Sequence, residues 1–171
     1  MVALALGAAD TAAGRWLLVA LALGLVGDVF LLGRTTARFQ AGLAAFLLGH
    51  LAYLACFVAL GLDQPAGALA GAVVALGALV AARGVLPATH RSDGPALSAP
   101  VAVYMLVITV MVVAAWTTDS WLVPLGASVF VASDTMLAVN RFVRPLPRAD
   151  LLVMVTYHVG QALIVLGVLT G

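Results

Sequence analysis

Trp16-Leu-Leu-Val-Ala-Leu-Ala-Leu-Gly-Leu-Val-Gly-Asp28-Val-Phe-Leu-Leu32 is a run of apolar residues broken by a single carboxylate. As a helix it is nearly long enough to cross the hydrocarbon of a bilayer, which takes about 20 residues. Five comparable runs follow, at 39–60, 66–82, 100–116, 121–139 and 151–169, the third short and rich in glycine and alanine. Only helices and closed barrels satisfy their backbone groups in lipid, and these runs lack the apolar–polar alternation of barrel strands. The spacing predicts an all-α, polytopic transmembrane bundle of about six spans. Short linkers make neighbouring helices antiparallel, and residues 1–171 form a single domain.

Composition points the same way. Of the 171 residues, 64% are apolar and 9% are charged, with a mean hydropathy of +1.18. A soluble domain carries about 25% charged residues, so the outer surface here must face hydrocarbon. The formal net charge of +1 comes with no basic tail or patch, so no nucleic-acid partner is expected. Cys56 is the one cysteine, so there is no internal disulfide and no cysteine-built metal site. Residues 1–9 have no basic n-region and are too short to span. They read as the end of a further helix or as a re-entrant piece over the bundle.

The arginines orient the spans. Arg34 and Arg38, then Arg83 and Arg91, then Arg141, Arg144 and Arg148 fall in alternate linkers; those around Asp63 and Asp119 have no basic residue. The positive-inside rule makes the arginine side cytoplasmic. Trp16, Trp116 and Trp121 fall on the opposite side, where interfacial indoles are common. The expected location is a bacterial cytoplasmic membrane, with the arginine-rich loops in the cytoplasm. Gly67, Gly71, Gly77 and Ala81 are candidates for close helix contact. No proline interrupts the middle of a span, so no broken helix is expected.

Few polar residues lie within the spans. Gly24-Leu-Val-Gly-Asp28 in span one is matched by Phe130-Val-Ala-Ser-Asp134 in span five, each followed by an arginine-bearing turn and a helix carrying a histidine, His50 or His158. This suggests a parallel repeat of two helical hairpins. At 1.5 Å per residue, Asp28 lies about 9 Å from Arg34 and Asp134 about 10 Å from Arg141. The two carboxyls should therefore share one depth in the cytoplasmic half, in a polar pocket that also collects Asn140, Tyr157 and Gln161, with His50 deeper and Tyr53 one turn beyond it.

Intramembrane carboxyls are costly and face the bundle interior or water. A carboxyl pair in apolar surroundings can supply one acid and one base at neutral pH. Three other readings remain open at this point: a structural hydrogen-bond network, a two-histidine, two-aspartate metal site, and a proton-coupled small-molecule or lipid transporter.

At these residues the chain resembles the YhhN/TMEM86 family of integral membrane lysoplasmalogenases. The resemblance rests on Gly27-Asp28-x-x-Leu31, Phe39-x-x-Gly42-x-x-x-Phe46-x-x-x-His50-x-x-Tyr53, Ser133-Asp134-x-x-Leu137-Ala-x-Asn140-x-Phe142 and Thr156-Tyr157-His158-x-x-Gln161. His158 departs from the pattern, where a second tyrosine is usual. The family pattern implies eight helices with a Lys-Pro motif in the second. This chain has no lysine and on that pattern enters near the end of that helix, as a shortened member. The resemblance implies hydrolysis of the vinyl-ether bond of a lysophospholipid to a fatty aldehyde and a glycerophospho-alcohol, with no cofactor. Asp28 and Asp134 would be the catalytic carboxyl pair, and His50, Asn140 and Tyr157 would support them. The expected partners are the lysophospholipid substrate, its phosphate met by arginine, and bilayer lipid.

Overall fold

The computed structural model describes residues 7–33 and 35–171. Among them there are seven α-helices and no strand: α1 (Ala12–Leu31), α2 (Thr36–Leu60), α3 (Gly67–Ala81), α4 (Val85–Asp93), α5 (Pro95–Ala115), α6 (Leu122–Phe142) and α7 (Ala149–Thr170), preceded by a 3-10 turn at Ala8–Asp10. Five of them, α1, α2, α5, α6 and α7, are long and apolar enough to cross a membrane. At 20 to 25 residues each they extend about 30 Å or more, matching the hydrocarbon thickness. The bundle is that of an integral membrane protein.

The third span departs from expectation. α3 has 15 residues, about 22 Å of helix and too short to cross alone. After a three-residue break the chain continues as α4, bent by 43°. Pro87 explains the break. Its ring would clash with the carbonyl of Arg83 in a continuous helix, and it is tolerated only in the first turn of a new one. The expectation of unbroken spans is therefore wrong here: α3 and α4 form one broken span or a re-entrant pair.

Pro100 has the opposite outcome. It lies inside α5 without ending it. A proline offers no N–H to the carbonyl four residues back, and that carbonyl, on Ala96, accepts instead from Gln40 Nε2 of α2 at 3.4 Å.

The two ends of the bundle are tied as the arginine alternation requires. At one end the Arg141 guanidinium lies 3.8 Å from the ring centroid of Phe39 at the start of α2, and Gly84 of the α3–α4 break lies against Val143. At the other end Gln64 Nε2 donates to Asp119 at 2.7 Å and the Gln64 backbone N–H donates to the Thr117 carbonyl at 2.9 Å. Trp16 and Trp121 are exposed, while Trp116 donates its indole N–H to Ser128. The expectations for Arg34 and for residues 1–6 lie outside the described residues. Near the start, Arg15 donates to the Ala9 carbonyl at 3.3 Å.

α1 with α2 and α6 with α7 are the two most extensively packed helix pairs. In the second pair a methyl added at Gly160 would stand 2.9 Å from the Gly126 carbonyl oxygen and the Phe130 nitrogen, so only hydrogen fits between the backbones. Gly67 and Gly71 do pack closely, against Trp116 and Val113 of α5. Gly77 has open space around it and Ala81 is exposed, so those two make no helix contact; both lie where α3 faces outward.

Two apolar cores hold the bundle. One, toward the tryptophan end, centres on Leu17, Tyr53, Phe57, Met111, Phe130 and Ile164. The other, toward the arginine end, comprises Phe39, Ala82, Val85, Leu97 and Val101.

Candidate active site

Small residues open the site at the level of the backbone. A methyl added at Gly27 would stand 2.6 Å from the Phe46 ring, and one at Gly24 would stand 3.2 Å from the Tyr157 hydroxyl. Hydrogen at these positions lets Phe46 of α2 and Tyr157 of α7 close on α1 beside Asp28. On α6 the residue before the aspartate is Ser133, buried, whose hydroxyl donates to the Val153 carbonyl of α7 at 2.9 Å.

Each hairpin's aspartate is met by the second helix of the other hairpin. Tyr157 of α7 donates its hydroxyl to Asp28 Oδ2 of α1 at 2.9 Å, and Gln161, one turn further, donates to that hydroxyl at 2.9 Å. Asp134 of α6 has its Oδ2 3.8 Å from Nε2 of His50 on α2. It also accepts a hydrogen bond from the Tyr104 hydroxyl of α5.

His50 Nδ1 lies 2.6 Å from the Phe46 carbonyl oxygen. A carbonyl only accepts, so Nδ1 carries a proton; in the neutral ring Nε2 then presents its lone pair toward Asp134. His50 is 1% exposed, and Nε2 has no hydrogen-bond partner among the described residues. The rings of Phe130 and Tyr104 stand edge-on to it at 5.1 and 5.2 Å, fixing its plane.

Asp28, Asp134 and Tyr157 line a single cavity of about 680 Å³, together with Tyr104, Asn140 and Arg141. Most of its wall is apolar, including Phe39, Phe46, Val101, Ile108 and Val131, so it takes residues from both cores. Its size and lining, apolar with a few converging polar groups, are those of a small-molecule site.

The expected site residues distribute unequally around this cavity. Asp28, Asp134 and Tyr157 come together as expected. His50 sits behind the wall and reaches the cavity only through Asp134. Asn140 lines the cavity, but about 9 Å of helix separates it from Asp134, and its Oδ1 accepts the Leu146 N–H at 2.8 Å, bracing the α6–α7 turn.

His158 is not the counterpart of His50. It lines the cavity from an exposed position, its Nδ1 bonded to the Met154 carbonyl of its own helix, while Tyr157 makes the hydrogen bond to Asp28. Tyr53 is buried away from the cavity wall and its hydroxyl has no partner among the described residues. Among the described residues no three histidine, cysteine or carboxylate side chains converge as metal ligands.

Tyr104 belongs to none of the motifs that mark the other site residues. Its only sequence signal is a phenol in an otherwise apolar stretch between Ser98 and Thr109.

Residues 1–168 match the YhhN family. The chain is 36% identical over 153 residues to human lysoplasmalogenase TMEM86B, covering 88% of this chain and 62% of that protein. It is 34% identical over 143 residues to the lysoplasmalogenase of Mycobacterium bovis, covering 75% and 51%, and 31% identical over 159 residues to human lysoplasmalogenase TMEM86A, covering 86% and 62%. It thus spans between half and two thirds of the length of these curated relatives. No solved structure matches it. The motifs that place Asp28, Asp134 and Tyr157 around one cavity therefore sit in a chain that belongs to the YhhN family.

Proposed function

We propose that the cavity is the active site of a membrane-embedded hydrolase that cleaves the vinyl-ether bond of a lysoplasmalogen-like lysophospholipid. The observation that carries this reading is the convergence of two carboxyls, from separate hairpins, on one apolar cavity among lipid-facing helices. The relatives' shared name, lysoplasmalogenase, supports it. Nothing in the comparisons supports the alternative of a proton-coupled carrier.

The chemistry needs one proton donor and one oriented water. A carboxylic acid adds its proton to the β-carbon of the vinyl ether, leaving an oxocarbenium centre on the carbon bonded to oxygen. The second carboxylate stabilises that cation and accepts a proton from the attacking water. The hemiacetal so formed breaks its C–O bond, with a proton passing to the leaving oxygen, to give the aldehyde and the glycerophospho-alcohol.

Asp28 and Asp134 form this pair. Tyr157, itself bonded by Gln161, donates to Asp28, whereas Tyr104 donates to Asp134, with His50 facing that carboxyl at 3.8 Å. The apolar wall receives the alkenyl chain and limits access of bulk water to the cation. The arginine end lies on the cytoplasmic side of a bacterial cytoplasmic membrane, following the arginine bias.

Membranes carrying the chain should release fatty aldehyde from a synthetic lysoplasmalogen and leave the matched saturated alkyl ether intact. Preferential cleavage of a matched acyl ester, with no aldehyde formed, would replace this reading with that of an esterase.

A further inference from the structure

Among the described residues, Arg141 is the only arginine that lines the cavity. Its guanidinium lies 3.8 Å from the centroid of Phe39 and 5.6 Å from that of Phe142, two rings packed edge to face. Stacking of this kind orients a guanidinium plane and leaves its edge N–H groups free to donate. Among the described residues those groups have no hydrogen-bond or salt-bridge partner. The cavity thus holds an oriented fork of donors whose geometry suits a phosphate, with Asp93 the carboxylate that acts on it through space.

Its distance from the carboxyls gives that fork a use. Arg141 follows Asp134 by seven residues on α6, which puts both on one face about 10 Å apart along the axis. Five covalent bonds separate the ether oxygen of a glycerophospholipid from its phosphorus, roughly 6 Å when extended. A charge-assisted hydrogen bond adds about 2.8 Å. The sum, about 9 Å, is comparable to the backbone rise of about 10.5 Å between the two residues. A lipid whose ether bond lies at Asp134 can therefore bring its phosphate within reach of Arg141, on the wall of the same cavity.

We propose that Arg141 is the specificity residue for the headgroup phosphate, binding the glycerophosphate at the cavity mouth and setting the depth at which the ether bond meets Asp134. The inference rests on the hydrolase reading for its choice of lipid, but binding alone can test it. Among the described residues, Arg15, Arg38, Arg83, Arg91, Arg144 and Arg148 do not line the cavity, so within that set the assignment is to one arginine rather than to a basic surface.

The test measures binding of two saturated, uncleavable lipids to the detergent-purified full chain: a 1-O-alkyl-glycerophosphocholine and the 1-O-alkylglycerol that lacks the phosphate. Arg141→Gln should weaken the phospholipid about 10- to 100-fold, the range that accompanies loss of a charge-assisted hydrogen bond. The same variant should shift the alkylglycerol less than about threefold, and Arg144→Gln should change neither.

Equal losses for both lipids would show that Arg141 only supports the fold and would overturn the proposal. So would unchanged phospholipid binding, or no binding of either lipid to the unmodified chain. A phospholipid-specific loss in a protein that releases no aldehyde would uphold Arg141 as the phosphate residue while refuting the hydrolase reading.

Discussion

The Tyr157 hydroxyl donates to Asp28 Oδ2 at 2.9 Å across 129 positions of chain. It joins the last helix to the first, while His50 of α2 faces Asp134 of α6 in the reverse sense. The two hairpins exchange partners, so neither carboxyl is held by its own hairpin alone. This exchange builds the site and locks the ends of the chain together.

Removing the phenol oxygen alone tests the first half of the exchange. Tyr157→Phe keeps the ring against Phe46 and Phe130 but deprives Asp28 of its donor and Gln161 of its acceptor. Aldehyde release should fall about 10- to 100-fold, the equivalent of one hydrogen bond to a charged group. Stability should drop by about 1–2 kcal/mol. Turnover with a matched thermal melt checks both; unchanged turnover would place Asp28 outside the reaction.

Tyr104→Phe tests the hold on Asp134 from outside the two hairpins, against an internal control. Tyr104 donates to Asp134, whereas Thr109 also lines the cavity but bonds only the Met105 carbonyl of its own helix. Tyr104→Phe should reduce turnover by at least about tenfold, with Thr109→Val within about twofold of the unmodified chain. Equal effects from the two would mean that cavity polarity, not the pairing with Asp134, matters.

The two histidines should behave differently although the sequence pairs them. His50→Ala removes a fully buried ring that contacts Tyr104, Phe130 and Asp134, leaving a cavity and taking a second donor from the Phe46 carbonyl. It should cost about 2–4 kcal/mol of stability and most of the activity. His158→Ala removes an exposed ring bonded within its own turn and should stay within about 0.5 kcal/mol. Thermal melts of the two variants in one detergent make the comparison.

Glycine substitutions separate contact from composition. Gly160→Ala drives a methyl into the backbone of α6 and should destabilise by about 1–3 kcal/mol. Gly77→Ala meets nothing within 4 Å and should be neutral, or stabilising by up to about 1 kcal/mol through helix propensity.

Five spans and their alternation were legible because apolar length and arginine placement report directly on the solvent each segment meets. The break after Ala81 was not legible, because apolarity hides a steric event: the Pro87 ring against the Arg83 carbonyl. At the site, the small residues before Asp28 and Asp134 marked where neighbouring helices close in. The His50–His158 pairing holds only in part, because adjacent helix positions point about 100° apart: Tyr157 turns inward to Asp28, and His158 reaches the cavity wall only from an exposed position. Tyr104 escaped notice because its partner lies 30 residues away, a separation that no local spacing encodes.

The most direct test of the central claim is aldehyde release from a synthetic lysoplasmalogen by membranes containing equal, verified amounts of the unmodified chain, Asp28→Asn and Asp134→Asn. The unmodified chain should release aldehyde, and each variant should fall by at least about a thousandfold, as expected when an acid or base acting in the transition state is lost. Near-normal release by either variant would contradict the carboxyl-pair mechanism.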